Sequence, residues 1–228
     1  IQIQRTNTSY STYGINILNN VISAIGSGNG IKISPGNMTG FTIQNNKINT
    51  TGNSGIGLYM QNLTNSIISG NNITTSSYLA HDIYLLFSDN NIFLNDSLTE
   101  LWATSSSPSH GLVLNNSNNN SFTNTRITTQ TGMNDTLLDG TGTNYFTNVS
   151  FNKAKIQFVA GSTATLFIKW YLDAAVFFAG SPLSSVNVSG SNNTGNTVFS
   201  QLTNALGYIS TQTLTEYFQN VTGKFYEA

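Results

Sequence analysis

The sequence predicts an all-β protein, a right-handed parallel β-helix followed by an immunoglobulin-like β-sandwich. Two observations predict the solenoid. Aliphatic residues that shortly follow a Gly or Asp and open a run of alternation recur at Ile31, Ile56, Ile83, Leu112 and Leu137, with gaps of 25, 27, 29 and 25 residues. A second marker, Asn followed by an apolar residue, keeps similar time at Asn19-Asn20-Val21, Asn45-Asn46-Lys47-Ile48, Asn71-Asn72-Ile73, Asn124-Thr125-Arg126-Ile127 and Asn148-Val149. Self-similarity at such a period is the signature of stacked repeats. A third observation predicts the second unit: after Asn152 the Asn pacing stops and a denser apolar pattern begins. The expected division is residues 1–151 and 152–228.

Within one period the chain reads as three short strands. Ile31-Lys32-Ile33, Phe41-Thr42-Ile43 and Lys47-Ile48 form one set; Ile56-Gly57-Leu58, Ser66-Ile67-Ile68 and Asn72-Ile73 form the next. Period-2 alternation bounded by Gly, Asn and Ser reads as half-buried strands. Three such strands in about 25 residues make one coil, stacked about 4.8 Å from its neighbours. Asn and Gly suit the corners because they tolerate left-handed backbone conformations. Stacking also aligns like residues, so Asn side chains should form amide ladders.

These residues carry a resemblance. Gly-Ile-x-Leu followed by Asn-x-x-Ile and Asn-Asn-x-Ile resembles the parallel β-helix repeats of the NosD-like, carbohydrate-binding and sugar-hydrolase group, common in archaeal surface proteins. It covers residues 1 to about 150. It implies a fold and not an activity, since the repeated positions are structural.

Beyond Asn152, strand-like runs are Ala164–Leu172, Ser184–Val188, Thr197–Ser200 and Leu206–Ile209, joined by Gly, Asn and Pro turns. Lys169-Trp170-Tyr171-Leu172-Asp173, Val186-Asn187-Val188 and Gly207-Tyr208-Ile209 resemble a carboxypeptidase-regulatory-like, immunoglobulin-type module. Thr213–Tyr217 fits its closing region. Where that module has a polar turn before its Pro, this chain reads Phe177-Phe178-Ala179-Gly180-Ser181-Pro182, so Phe177 and Phe178 are candidates for a contact surface.

Composition narrows the function. Only 7% of the 228 residues are charged and the net charge is −1, with the eight basic residues scattered singly, which argues against nucleic acid. Cysteine is absent, which removes disulfides and thiolate sites. The apolar stretch 164–183 is interrupted by Lys169 and Asp173, so it is not a membrane span. The first residues, Ile1-Gln2-Ile3, carry no leader, so the chain reads as a fragment or mature portion of something longer.

Polysaccharide chemistry on such a fold needs convergent carboxylates or a calcium site. The solenoid acids are Asp82, Asp89, Asp96, Glu100, Asp135 and Asp139, and Asp82 to Glu100 spread over most of one coil. No phosphate loop, zinc motif or nucleophile elbow occurs. No catalytic residue, cofactor or metal is therefore assigned. His81 takes the slot held by Asn29, Ser54 and His110 in other coils, so His81 and His110 should be neighbours able to share a metal or acid–base work, or simply to decorate a turn.

Thirteen Asn-x-Ser/Thr triplets occur, at Asn7, Asn37, Asn49, Asn62, Asn72, Asn95, Asn115, Asn119, Asn134, Asn148, Asn187, Asn192 and Asn220. These are candidate acceptors for N-linked glycan, although those beside ladder residues, Asn72 among them, should be occluded. The expected function is an extracellular structural protein, a glycosylated subunit of a surface filament, sheath or layer that self-associates. A carbohydrate-binding adhesin using Tyr10, Tyr13, Tyr59, Tyr78, Tyr84 or Trp102 is the alternative, and a polysaccharide lyase or epimerase a third.

Overall fold

In a computed structural model, residues 1–4, 12–34, 36–102 and 109–226 are described. These residues are all-β and form a parallel solenoid of about six turns, with three long sheets running along it and a short fourth of Thr12–Tyr13, Met38–Thr39 and Leu63–Thr64. The first face stacks seven strands, from Gln2–Ile3 through Ile31–Ile33, Leu58–Gln61, Ile83–Leu86, His110–Asn115 and Asn134–Asp139 to Ile156–Phe158. The third face stacks five, from Val21–Ala24 to Arg126–Thr129. The second face, with nine, begins at Asn16–Leu18 and continues past the last coil.

Register shows what sets the repeat. Ile31 pairs with Leu58, Leu58 with Ile83, Ile83 with Leu112 and Leu112 with Thr136. The marker at Ile56 is thus two residues early and that at Leu137 one residue late. The conserved requirement of the stack lies one position before the inward aliphatic, at Gly30, Gly57, Asp82, Gly111 and Asp135. A Cβ on Gly57 would lie 2.3 Å from Ile73 Cγ2 and 2.6 Å from the Asp82 carbonyl oxygen. That slot closes the corner between the third and first faces, and most coils fill it with no side chain at all.

The other corners use left-handed residues. Asn19, Asn45, Gly70, Asn95, Asn124 and Asn148, with φ between 51° and 64°, turn the chain from the second face to the third. Asn65, Asn90 and Asn119 turn it into the second face. Asn62, Phe87, Asn116 and Gly140 leave the first face, and Phe87 is the anomaly, a bulky exposed residue at φ 49°.

Inside, like residues stack. Ile43, Ile68, Phe93, Phe122 and Phe146 form one buried column, with the Phe93 and Phe122 rings 4.3 Å apart. Ile48, Ile73, Leu98 and Ile127 form another. Each fully buried side chain of this size contributes about 1.5–3 kcal/mol. The expected amide ladders are present. Asn20, Asn46 and Asn71 each donate Nδ2 and backbone N–H to the Oδ1 of the next coil's residue, at 2.8–3.0 Å. A second ladder runs Asn91, Asn120, Asn144.

At the far end, Thr165–Leu172 pairs in parallel with Thr143–Thr147 on one edge and antiparallel with Gln212–Asn220 on the other. Gln212–Asn220 then pairs with Gly223–Tyr226, so a hairpin extends the second face and buries Tyr217 over the core. Between them, Phe177–Phe178 pairs with Ser181–Pro182, and Asn187–Ser191 with Thr197–Leu202, as two separate hairpins. The described residues do not display an immunoglobulin-type sandwich here. Leu206–Ile209, read from sequence as a strand, is a turn at Gly207 (φ 82°) held by one bridge between Ala175 and Tyr208.

Candidate functional site

His81 and His110 are neighbours, as their spacing predicts, in a slot that also holds Asn29, Ile56 and Asn134; Ser54 lies elsewhere, in a left-handed turn. Their rings stack at 5.2 Å and 3°. The His110 backbone N–H donates to His81 Nδ1 at 3.1 Å, which fixes the His81 proton on Nε2. Burial, with a smaller push from His110, lowers His81 to about 3, and burial lowers His110 to about 4. Both rings are therefore neutral at physiological pH. One of the lone pairs a metal would use is already occupied. Among the described residues no three His, Asp or Glu side chains come close enough to hold an ion.

The acids that looked dispersed in sequence are partly gathered, but inside. Asp82 is fully buried and accepts from Thr75 Oγ1 at 2.9 Å. Glu100 stacks over Thr75 in the next coil and accepts from the Trp102 backbone N–H. Asp135 accepts from Thr129 Oγ1 and from the Asn152 N–H, both at 2.6 Å. Burial holds Asp82 well above the ordinary carboxylate range, with Glu100 adding repulsion, and brings Glu100 itself to about 7. Among the described residues, Asp82 Oδ2 and Glu100 Oε2 have no hydrogen-bond partner. These groups sit in the closed corner between the third and first faces, and the chain segment 103–108 that follows Glu100 lies outside the described residues.

Asp96 takes the position after Asn71 in the first amide ladder and accepts twice through Oδ1. Asn46 and Asn71 each use Nδ2 to donate also to a strand carbonyl, of Ile17 and Ile43. By register the matching carbonyl for Asp96 is that of Ile68. Asp96 Oδ2 is buried and has no hydrogen-bond partner among the described residues, and burial raises the group to about 7. Sequence reading missed this role; Asp in an Asn slot was the available signal.

The outward aromatic residues also stack. Tyr59 and Tyr84 lie 5.6 Å apart on the first face, with Lys32 5.7 Å from the Tyr59 ring and Asn115 Nδ2 donating to the Tyr84 hydroxyl. On the second face, Tyr145, Phe167, Phe218 and Phe225 form a continuous column. In both columns the ring faces are spent on each other. Tyr78 is exposed, Trp102 is half-buried, and Tyr10 and the Tyr13 side chain lie outside the described residues. An open cleft of about 490 Å³ lies between the Asn187–Leu202 hairpin and Thr213–Thr215, lined by Tyr226, Phe199, Asn193 and Ser191.

Of the sequons, Asn37, Asn72, Asn95, Asn119, Asn148 and Asn187 are exposed; Asn49, Asn62, Asn115, Asn134, Asn192 and Asn220 are half-buried; Asn7 lies outside the described residues. The occlusion expected at Asn72 is absent, because the ladder residue is Asn71 and its neighbour points outward. The Nδ2 groups of Asn115, Asn119, Asn134 and Asn148 are engaged with neighbouring coils. Phe177 and Phe178 are 50% and 73% exposed, as a contact surface requires. No helix among the described residues is long and apolar enough to cross a membrane. No family model matches the chain, and neither a curated protein nor a solved structure matches it.

Proposed function

We propose that the protein is an extracellular structural element, a glycosylated subunit of a surface filament, sheath or layer that associates with further copies of itself. The observation that carries this reading is the set of open sheet edges. Among the described residues, Gln2–Ile3, Asn16–Leu18 and Val21–Ala24 each pair on one side only, and Ile156–Phe158 and Gly223–Tyr226 end their sheets at the other pole. Unpaired strand edges are templates for another chain, and a contact joining unlike ends repeats without closing. The exposed sequons would solubilise a surface with so few charges. The NosD-like, right-handed and archaeal parts of the reading rest on the Gly-Ile-x-Leu and Asn-Asn-x-Ile pattern. The immunoglobulin-type part rests on the run of antiparallel strands after Thr165.

A carbohydrate-binding role is the second reading, favoured by the uncharged cleft at Tyr226 and Phe199, which is large enough for a sugar ring. The stacked Tyr59–Tyr84 pair supports it less, because a sugar needs an open ring face. Lyase or epimerase chemistry has the least support, since Asp82 and Glu100 face inward. Negative-stain electron microscopy of protein secreted from a glycosylating host tests the leading reading: fibres or sheets support it, and monodisperse particles at high concentration sink it. A glycan array distinguishes the alternative.

A further inference from the structure

The cleft between the Asn187–Leu202 hairpin and Thr213–Thr215 holds its aromatic ring differently from the outward columns. Phe199 pairs across the hairpin with Gly190. A Cβ on Gly190 would lie 2.3 Å from Phe199 Cε1 and 3.0 Å from Cδ1 and Cζ, so the ring occupies the space a side chain at 190 would take. Glycine inside a strand marks such a close approach. Phe199 is half-buried, and among the described residues no second ring and no cation lies against it. Tyr226, which also lines the cleft, packs on Tyr217 at 5.5 Å. Phe199 is therefore the unclaimed ring.

The polar groups of the cleft are unclaimed too. The side chains of Ser191, Asn193, Thr213, Thr215 and Tyr226 make no hydrogen bond among the described residues. The rim beside them is tied, since Asn192 Oδ1 accepts from the Thr194 N–H at 3.2 Å, the Thr194 hydroxyl at 2.8 Å and the Asn196 N–H at 2.8 Å. None of the lining residues is charged. A neutral pyranose suits this combination, offering C–H groups to a ring face and hydroxyls to free donors and acceptors around it. A uronic acid does not, because its carboxylate would enter the cleft without a cation.

We propose that this cleft binds a neutral pyranose ring, with Phe199 as the stacking platform and Gly190 positioning that platform. The inference rests on the carbohydrate-binding reading above and names its ring and its class of sugar. Two sources share the chemistry, an external glycan and the chain's own N-linked glycan, because Asn192 heads a sequon and lines the cleft.

The test begins with chain made in a non-glycosylating host, applied to an array of neutral and uronic-acid glycans. Neutral glycans should bind and uronic-acid glycans should not. Phe199→Ala should weaken the best neutral binder roughly tenfold. Gly190→Ala should weaken it by a smaller factor, and Phe199→Trp should retain it. Unchanged circular-dichroism spectra and melting temperatures verify that the variants fold. A preference for uronic acids, or neutral binding that survives Phe199→Ala, overturns this site while carbohydrate binding stands. No binding anywhere on the array sinks both. In chain from a glycosylating host, loss of the neutral ligand that Asn192→Gln restores assigns the cleft to the chain's own glycan. Retained binding assigns it to an external one, and either result supports the site.

Discussion

Asp96 shows how one residue carries the electrostatics of the stack. Its Oδ2 takes the place of an amide Nδ2 that elsewhere donates to a strand carbonyl. Only the protonated acid reproduces that donation. Folding raises Asp96 and Glu100 to about 7, and burial holds Asp82 well above its ordinary value, so the folded state binds more protons than the unfolded chain from about pH 4 upward. Stability from these acids is therefore lost as pH rises towards and past 7. His81 and His110 act oppositely: they are lowered, so the unfolded chain binds more protons between about pH 3 and 6.5, and stability from them is lost as pH falls through that range. Chemical denaturation should give a maximum on the acid side of neutrality. Asp96→Asn should raise stability at pH 8 by roughly 1–3 kcal/mol and change little at pH 5; equal effects at both pH values would contradict the assignment. At Phe87, the left-handed φ of 49° penalises any residue but Gly or Asn. Phe87→Asn should raise the melting temperature by a few degrees, corresponding to about 1 kcal/mol, whereas a lower melting temperature would mean the ring does more than occupy a turn.

At the scale of elements, the coil is defined by its corners. Asn46 by itself donates to Ile17 O and Asn71 Oδ1 in the interior and accepts from the half-buried Asn20. Asn46→Ala should cost at least about 2 kcal/mol, because each abandoned buried partner carries a desolvation penalty; a urea midpoint within error of wild type would contradict this. Gly57→Ala puts a methyl group against the Asp82 carbonyl and Ile73, and should cost roughly 2–4 kcal/mol as the corner is forced open. The coil was legible in sequence because its corners are local: Asn19, Asn45 and Asn148 announce left-handed turns wherever they occur. Register was harder, since Ile56 mimics the inward Leu58 while pointing into the histidine slot. The buried acids were not legible. Asp82 and Glu100 lie 18 residues apart in the chain, and only stacking the third face on the first brings them to one corner. Leu206-Gly207-Tyr208-Ile209 alternates like a strand, but Gly207 adopts a φ that ends one.

At the scale of the whole molecule, the described residues form a solenoid with an ordered interior. Its ladders and ring columns fill the middle coils, and among the described residues the sheets end in strands paired on one side only at the two poles. The exposure of Phe177 and Phe178 was visible in sequence. The solenoid is proposed to join copies of itself. Sedimentation velocity of the wild-type chain across a hundredfold range of concentration tests it most directly. A self-joining solenoid should give a sedimentation coefficient that climbs with concentration through an open series of oligomers; a single monomer peak at every concentration rules self-joining out.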